Sequence, residues 1–413
     1  MTSTFKGRGL FVTTFVIIIA SILLIVLGIV YDRSVIRDPF RADAIRNPRF
    51  TSLTYGIQTF LWWDKSKARL HMDWVRLMVF SHVKQIYAWK DMEPSRGDFH
   101  FDRADELLGE LEAKGIKVVA RLGDSPDWAI THANGKKGVD FVDAPPDDLN
   151  DWGTFCGTLA SRYKGRIAAY QVWNEPNLNR EWGNNPPNAA GYVGLLKVCS
   201  QAIRDVDPQA IVISAGLSPT GTWTEAVTPD DTFFQQMYDA GFQQYADVAG
   251  VNAPGYNFPP ETSPDEAVAQ GGHRFNTFRR VEDMRTIMVK NGDAARQMAI
   301  LEMGWTQDPI HKDYAWFAVT EDQQADYFAR AYQYAADHWR PWMGLMSAIY
   351  LPDPSWTKDR EEYWWSVTVG KGWIGKAFMS LANMAKYCGT RTIPARDPGS
   401  PEAMGLATVV PCS

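Results

Sequence analysis

Eight short apolar runs, separated by longer stretches of helical periodicity, are the feature that most limits what this chain can fold into. The runs fall at 54–58, 83–88, 116–122, 167–173, 210–216, 246–252, 297–302 and 343–350. They are mostly apolar rather than alternating, which is the pattern of strands buried on both faces. The intervening stretches read as helices. Residues 102–114 put Ala104, Leu107, Leu108 and Leu111 on one stripe and stop at Gly115, a residue suited to a helix C-cap. Residues 321–338 align Tyr327, Phe328, Ala331 and Tyr334, and 373–387 read as the last helix. Eight strand–helix units predict an α/β fold, a (β/α)8 TIM barrel spanning 51–390. A doubly wound open sheet would carry a glycine-rich phosphate loop after its first strand, and Tyr55-Gly56-Ile57-Gln58 is no such loop.

In a barrel of this kind the active site is built from the C-terminal ends of the strands. Two strand ends carry a glutamate. The fourth run leads into Trp173-Asn174-Glu175-Pro176-Asn177, and the seventh closes in Ile300-Leu301-Glu302-Met303-Gly304-Trp305. A carboxylate at the end of a buried strand is costly unless it is paired or protonated. Strands four and seven face each other across a barrel mouth, so Glu175 and Glu302 are expected to flank one scissile bond. Two carboxylates in that relation hydrolyse glycosides, at ~5–5.5 Å separation with retention and ~6.5–9.5 Å with inversion.

Trp173-Asn174-Glu175-Pro176-Asn177 resembles the acid/base motif of clan A glycoside hydrolases, retaining (β/α)8 enzymes with glutamates on strands four and seven. Three further segments resemble family 39 of that clan and its relatives. They are Ala88-Trp89-Lys90-Asp91-Met92-Glu93-Pro94, Arg96-Gly97, and Asp124-Ser125-Pro126-Asp127-Trp128-Ala129. The resemblance covers about residues 52–388. It implies Glu175 as general acid/base and Glu302 as the nucleophile that forms a glycosyl-enzyme intermediate. It implies Asn174 as the partner of the hydroxyl beside the reacting carbon, and Tyr256 as the residue that steadies the nucleophile, with Asn252 competing for a role. The implied substrate is an oligo- or polysaccharide. A transglycosylase using the same intermediate, and a non-catalytic carbohydrate-binding barrel, are the alternatives.

Other residues are placed by position. Arg121, near the end of the third strand, is a candidate to bind sugar or to hold a carboxylate ionised. Trp89, Trp128, Trp305 and Trp356 lie just past strand ends, where indole faces would stack on sugar rings. Trp62-Trp63 would extend that cleft. Lys84 lies inside strand two and reads as a solvated or paired barrel-interior lysine, with substrate contact as the alternative. Glu93, in the loop beyond strand two, reads as structural. The seven histidines, from His71 and His132 to His338, show no His-x-x-x-His spacing, so neither a metal nor a cofactor is expected. A net charge of −6 offers no basic face for nucleic acid.

The N-terminus carries a different signal. Residues 9–31 are uncharged and rich in Ile, Leu and Val, enough for one transmembrane helix across a ~30 Å hydrocarbon core. The apolar run is longer than a cleaved secretory signal requires, so the segment reads as a signal anchor. Residues 32–50 then form a juxtamembrane linker and 391–413 a C-terminal tail. Orientation is two-sided. Lys6 and Arg8 before the span have the form of an export signal, which places the barrel outside the cell membrane. Arg33, Arg37, Arg41 and Arg46 after it argue the reverse. Cys388 and Cys412 are positioned to staple the tail, and Cys156 and Cys199 lie in consecutive helices. Pairing of each couple, or four buried thiols, are the two alternatives.

Overall fold

In the computed structural model, which describes residues 4–63, 65–130, 143–369, 373–396 and 411–412, the eight apolar runs are eight parallel strands. They are β1 Thr54–Thr59, β2 His82–Ala88, β3 Lys117–Gly123, β4 Ala169–Val172, β5 Ile211–Ser214, β6 Val248–Asn252, β7 Gln297–Met303 and β8 Met343–Ala348. The sheet closes in sequence order, with β8 beside β1 and Gly56 in register with Ser347. Every residue of β1, β2, β4, β6 and β8 is buried, including polar ones such as Gln58, Lys84, Gln85 and Gln171.

The core has two layers. Between the strands and the outer helices lies the large apolar cluster that includes Val83, Leu107, Leu122, Phe155, Val172, Phe328 and Met346. Inside the barrel a smaller cluster joins Phe50, Val119, Ala169, Ile213, Val248, Ala299, Leu301 and Leu345. Phe50 lies at the N-terminal end of the barrel. The Gln297 side chain holds it there, accepting from its N–H at 2.9 Å and donating to its carbonyl at 3.0 Å. The interior is therefore apolar at that end. Toward the other end it becomes polar, with Gln58, Lys84, Arg121, Gln171 and Glu302.

The helices follow the sequence pattern closely in the middle of the chain. The stretches read at 102–114 and 321–338 are helices Asp102–Ala113 and Glu321–His338. The second begins at a capping box in which Thr320 and Gln323 satisfy each other's backbone N–H groups. Toward the C-terminus the expectation fails. The last helix is Lys376–Asn383, not 373–387. Residues 386–388 instead pair with 391–393 across a turn at Gly389. The cause is Lys386, whose buried Nζ donates to the carbonyls of Leu381, Ala382 and Met384 and so terminates the helix.

Ahead of the barrel stands one helix, Thr4–Arg37, long and apolar enough to cross a membrane. From Val12 to Val30 every residue is exposed. The helix runs past residue 31 into the expected linker because Val35 is buried against Ala44 and Val289. Both cysteine couples are disulfides: Cys156–Cys199 joins helices Leu149–Arg162 and Ala189–Val206, and Cys388–Cys412 ties the tail to the hairpin. His132 and tail residues 397–410 and 413 lie outside the described residues.

Candidate active site

A cavity of about 650 Å³ opens at the C-terminal ends of the strands, and all eight strands or the loops after them contribute to its wall. Glu175 and Glu302 both line it. So do Arg121, Asn174, Asn252 and Tyr256.

Glu175 follows β4 on a strained backbone. Trp173 and Glu175 both take positive φ, 72° and 37°, which non-glycine residues adopt only when their surroundings compel it. Three contacts supply that compulsion. The Trp173 N–H donates to Leu122 O at 3.0 Å, its indole N–H to Glu181 O at 2.9 Å, and the Glu175 N–H to Gly216 O at 3.0 Å. The turn aims the carboxylate into the cavity. There Oε1 accepts from Asn252 Nδ2 at 3.0 Å and Oε2 from Arg180 at 2.9 Å. Residue 216 must be glycine for this packing, since a Cβ there would lie 2.1 Å from Asn252 Oδ1.

Glu302 is reached across the barrel through Asn252, its register partner on β6. Its Oε1 accepts from Lys84 Nζ at 2.7 Å. Burial alone would push the Glu302 carboxyl up. The Lys84 ammonium and then the Arg121 guanidinium outweigh burial and hold it below the usual carboxylate range. Glu302 is thus an ionised carboxylate inside a protein wall, which is what a nucleophile at carbon requires. Lys84 itself is fully buried; burial lowers its pKa against the opposing pull of Glu302.

A second set of acids supports the β3 and β4 loops. Asp143 accepts from the N–H groups of Asp124, Ser125 and Ala144 at 2.8 to 3.1 Å, and burial, with Asp124 nearby, pushes it up to about 7. Burial pushes Glu181, adjacent to Arg180, up to about 8, with Arg121 opposing. Arg121 Nε and Glu181 Oε2 are buried without a hydrogen-bond partner.

Residues 63–228 match the family model for Glycosyl hydrolases family 39. The chain resembles the family 39 glycoside hydrolases and their clan A relatives. It is 26% identical over 127 residues to an endo-1,4-β-xylanase A of Phanerodontia chrysosporium, covering 30% of this chain and 29% of that one. It is 27% identical over 120 residues to a β-xylosidase of Geobacillus stearothermophilus, covering 27% of this chain and 23% of that one. The chain thus spans less than a third of the length of these curated relatives. A solved family 39 glycoside hydrolase from Bacteroides cellulosilyticus WH2 shares the fold, with a TM-score of 0.59 and 18% identity over 82% of this chain and 64% of that one.

Set against these clan A expectations, the structure gathers some predicted site residues and separates others. Glu175, Glu302, Asn174, Arg121, Tyr256 and Trp356 share the cavity. Trp89 and Trp305 do not. Both are fully buried, Trp89 stacked on Phe155 with its N–H on Glu93, and Trp305 with its N–H on the Phe258 carbonyl. Trp128 is also off the cavity, packed edge-on to Trp89 and under Arg96. Trp89 and Trp305 brace the loops from inside, and the half-buried Trp128 packs against Trp89 at the loop surface. The Tyr256 hydroxyl donates to Pro219 O at 3.1 Å, so in this structure Lys84, not Tyr256, is the hydrogen-bond donor to Glu302. Glu93 is structural as expected, accepting from Trp89 and from Gly97 N–H. Of the Trp62-Trp63 pair expected to extend the cleft, Trp63 lines the cavity, whereas Trp62 is buried with its N–H on Asp91. Arg180, Glu181, Tyr350 and Glu361 also line the cavity, and no sequence motif singled them out. The one available signal was the position of Arg180 and Glu181, a few residues beyond Asn-Glu-Pro in the loop that follows β4.

Proposed function

We propose that this chain is a retaining glycoside hydrolase that cleaves O-glycosidic bonds of an extracellular or cell-surface polysaccharide by double displacement. Glu302 attacks the anomeric carbon. Glu175 protonates the departing oxygen and then deprotonates the water that releases the sugar. Asn174 binds the neighbouring hydroxyl, Arg121 and Tyr256 shape the wall around the reacting sugar, and Trp356 supplies an aromatic face. The observation that carries this reading is a single cavity lined by glutamates from the ends of β4 and β7, one of them held ionised by a buried lysine. The family 39 likeness supports retention.

The location is part of the same proposal. Residues 9–31 anchor the chain in the cell membrane with the barrel on the outer side. The two disulfides support this, because such bonds persist in oxidising compartments. Relatives named as xylanases and a xylosidase make β-1,4-xylan oligosaccharides the first substrates to try.

The test is a glycan panel followed by NMR of the first-formed anomer. Glu175→Gln and Glu302→Gln are expected to lower kcat by about 10³-fold or more with unchanged circular dichroism. Inversion at the anomeric carbon, or near-native turnover by both variants, would refute the assignment. Transfer to an added acceptor sugar in preference to water would move it to a transglycosylase.

A further inference from the structure

We infer that the barrel stands with the N-terminal ends of its strands against the bilayer, so that the Glu175–Glu302 cavity opens on the side facing away from the membrane. This rests on reading Thr4–Arg37 as a membrane anchor. What it adds is the surface that meets the lipid.

The junction between helix and barrel decides the geometry. Val35, on the last turns of the N-terminal helix, is buried with Ala44 and Val289, and Tyr31 and Ala294 pack on that cluster. Val289 lies in the last turn of helix Arg280–Lys290, and Ala294 lies in the short connection from that helix to Gln297, the first residue of β7. The cluster is therefore at the start of β7, whereas Glu302 is near its end. Two further ties hold the connecting chain to the same face. Arg285 Nε donates to Pro39 O at 3.1 Å, and Phe50 is clasped by Gln297.

The junction is also braced rather than a free leash. Arg41 donates to Ser34 Oγ at 2.6 Å and lies over the Tyr31 ring, with Arg46 on the same ring. The exposed stretch Val12–Val30 makes no buried contact with the barrel, so the helix projects from this end instead of lying along its side. Tyr31, Arg33 and Arg37 follow the apolar stretch, where an aromatic ring and long cationic side chains suit the headgroup layer. A seven-residue strand such as β2 rises roughly 20 Å. The cavity mouth is held at least that order of distance from the lipid, less the strand tilt. The substrate this geometry fits is a water-phase polymer chain, not a glycan whose scissile bond lies at the headgroup plane.

The experiment uses the full chain reconstituted into phosphatidylcholine vesicles that carry a fluorescent acceptor lipid. Both cysteine couples are disulfides and no free cysteine remains, so one introduced thiol takes the donor dye. Gln209→Cys labels the exposed turn before β5, and Trp223→Cys the exposed loop after it. The expected result is markedly stronger energy transfer to the lipid from position 209 than from 223. Equal transfer, or stronger transfer from 223, would overturn the proposed orientation. Failure of the chain to float with the vesicles would instead overturn the anchor reading, so the two failures are distinguishable.

Discussion

The ionised state of Glu302 depends most directly on Lys84, and replacing that lysine tests the electrostatic account of the site. Lys84→Met keeps the length of the side chain and removes the ammonium 2.7 Å from Oε1. Removing one partner of a buried pair typically costs about 3–5 kcal/mol. The carboxyl can relieve much of that by taking a proton. At about 1.36 kcal/mol per unit, roughly 3 kcal/mol corresponds to a rise of about two units, with Arg121 still in place to limit it. The native carboxyl lies below the usual carboxylate range, so under the proposed mechanism activity is present above that pKa and is lost only as pH falls through it. In the variant the acid limb of kcat/KM is expected to move to higher pH by up to about two units. Activity should therefore fall more at pH 5 than at pH 8. The assay is a pH profile on an aryl glycoside that the enzyme cleaves, with circular dichroism confirming the fold. An acid limb that stays where it is, or an equal loss at every pH, would refute the argument and make Lys84 a packing or substrate-contacting residue.

Two other outcomes discriminate between roles in the same way. Trp63→Ala removes a half-exposed indole from the cavity wall and is expected to raise KM several-fold without changing Tm, whereas Trp89→Ala opens a hole in a fully buried cluster and should cost about 3–5 kcal/mol of stability. An unchanged KM on oligosaccharides in the first, or an unchanged Tm in the second, would reverse these roles. Burial raises the Glu181 carboxyl to about 8, so its contribution to stability is complete below its unfolded pKa of about 4.3 and is lost as pH rises through 8. Glu181→Gln should therefore flatten the dependence of Tm on pH between 5 and 9, and a variant whose curve parallels the native one would show that Glu181 does not hold that proton.

The barrel was legible because its strands are buried on both faces and so are predominantly apolar. All eight apolar runs coincide with strands to within two residues at each end. The helix boundaries were legible where a local signal stops them, as Gly115 does beyond Asp102–Ala113. The last helix was not. Its stop is a lysine that folds back onto three carbonyls, and because lysine is also a good helix former its presence alone does not mark where a helix ends. The junction at Val35 was hidden for a related reason. A valine among arginines gains its partner Val289 only when distant segments of the chain meet.

The site divides along the same line. Glu175, Asn174 and Glu302 were legible because a strand end fixes both their position and their direction. The tryptophans were placed by sequence position alone, and position past a strand end says nothing about which way an indole turns. Trp89 and Trp305 turn into the core, where each finds an acceptor for its N–H, while Trp356 turns to the cavity beside Phe60 and Tyr350. Arg180 and Glu181 show the limit most clearly. A charged pair in a loop reads as solvated surface. Here the Asn-Glu-Pro turn folds that loop back over its own glutamate, so Arg180 meets Glu175 Oε2 and Glu181 is buried beside Arg121. What turns two ordinary loop charges into part of the site is the strained backbone at Trp173 and Glu175. That strain is sustained by contacts to Leu122 and Gly216 on the flanking strand and loop, so it becomes visible only once the barrel is closed.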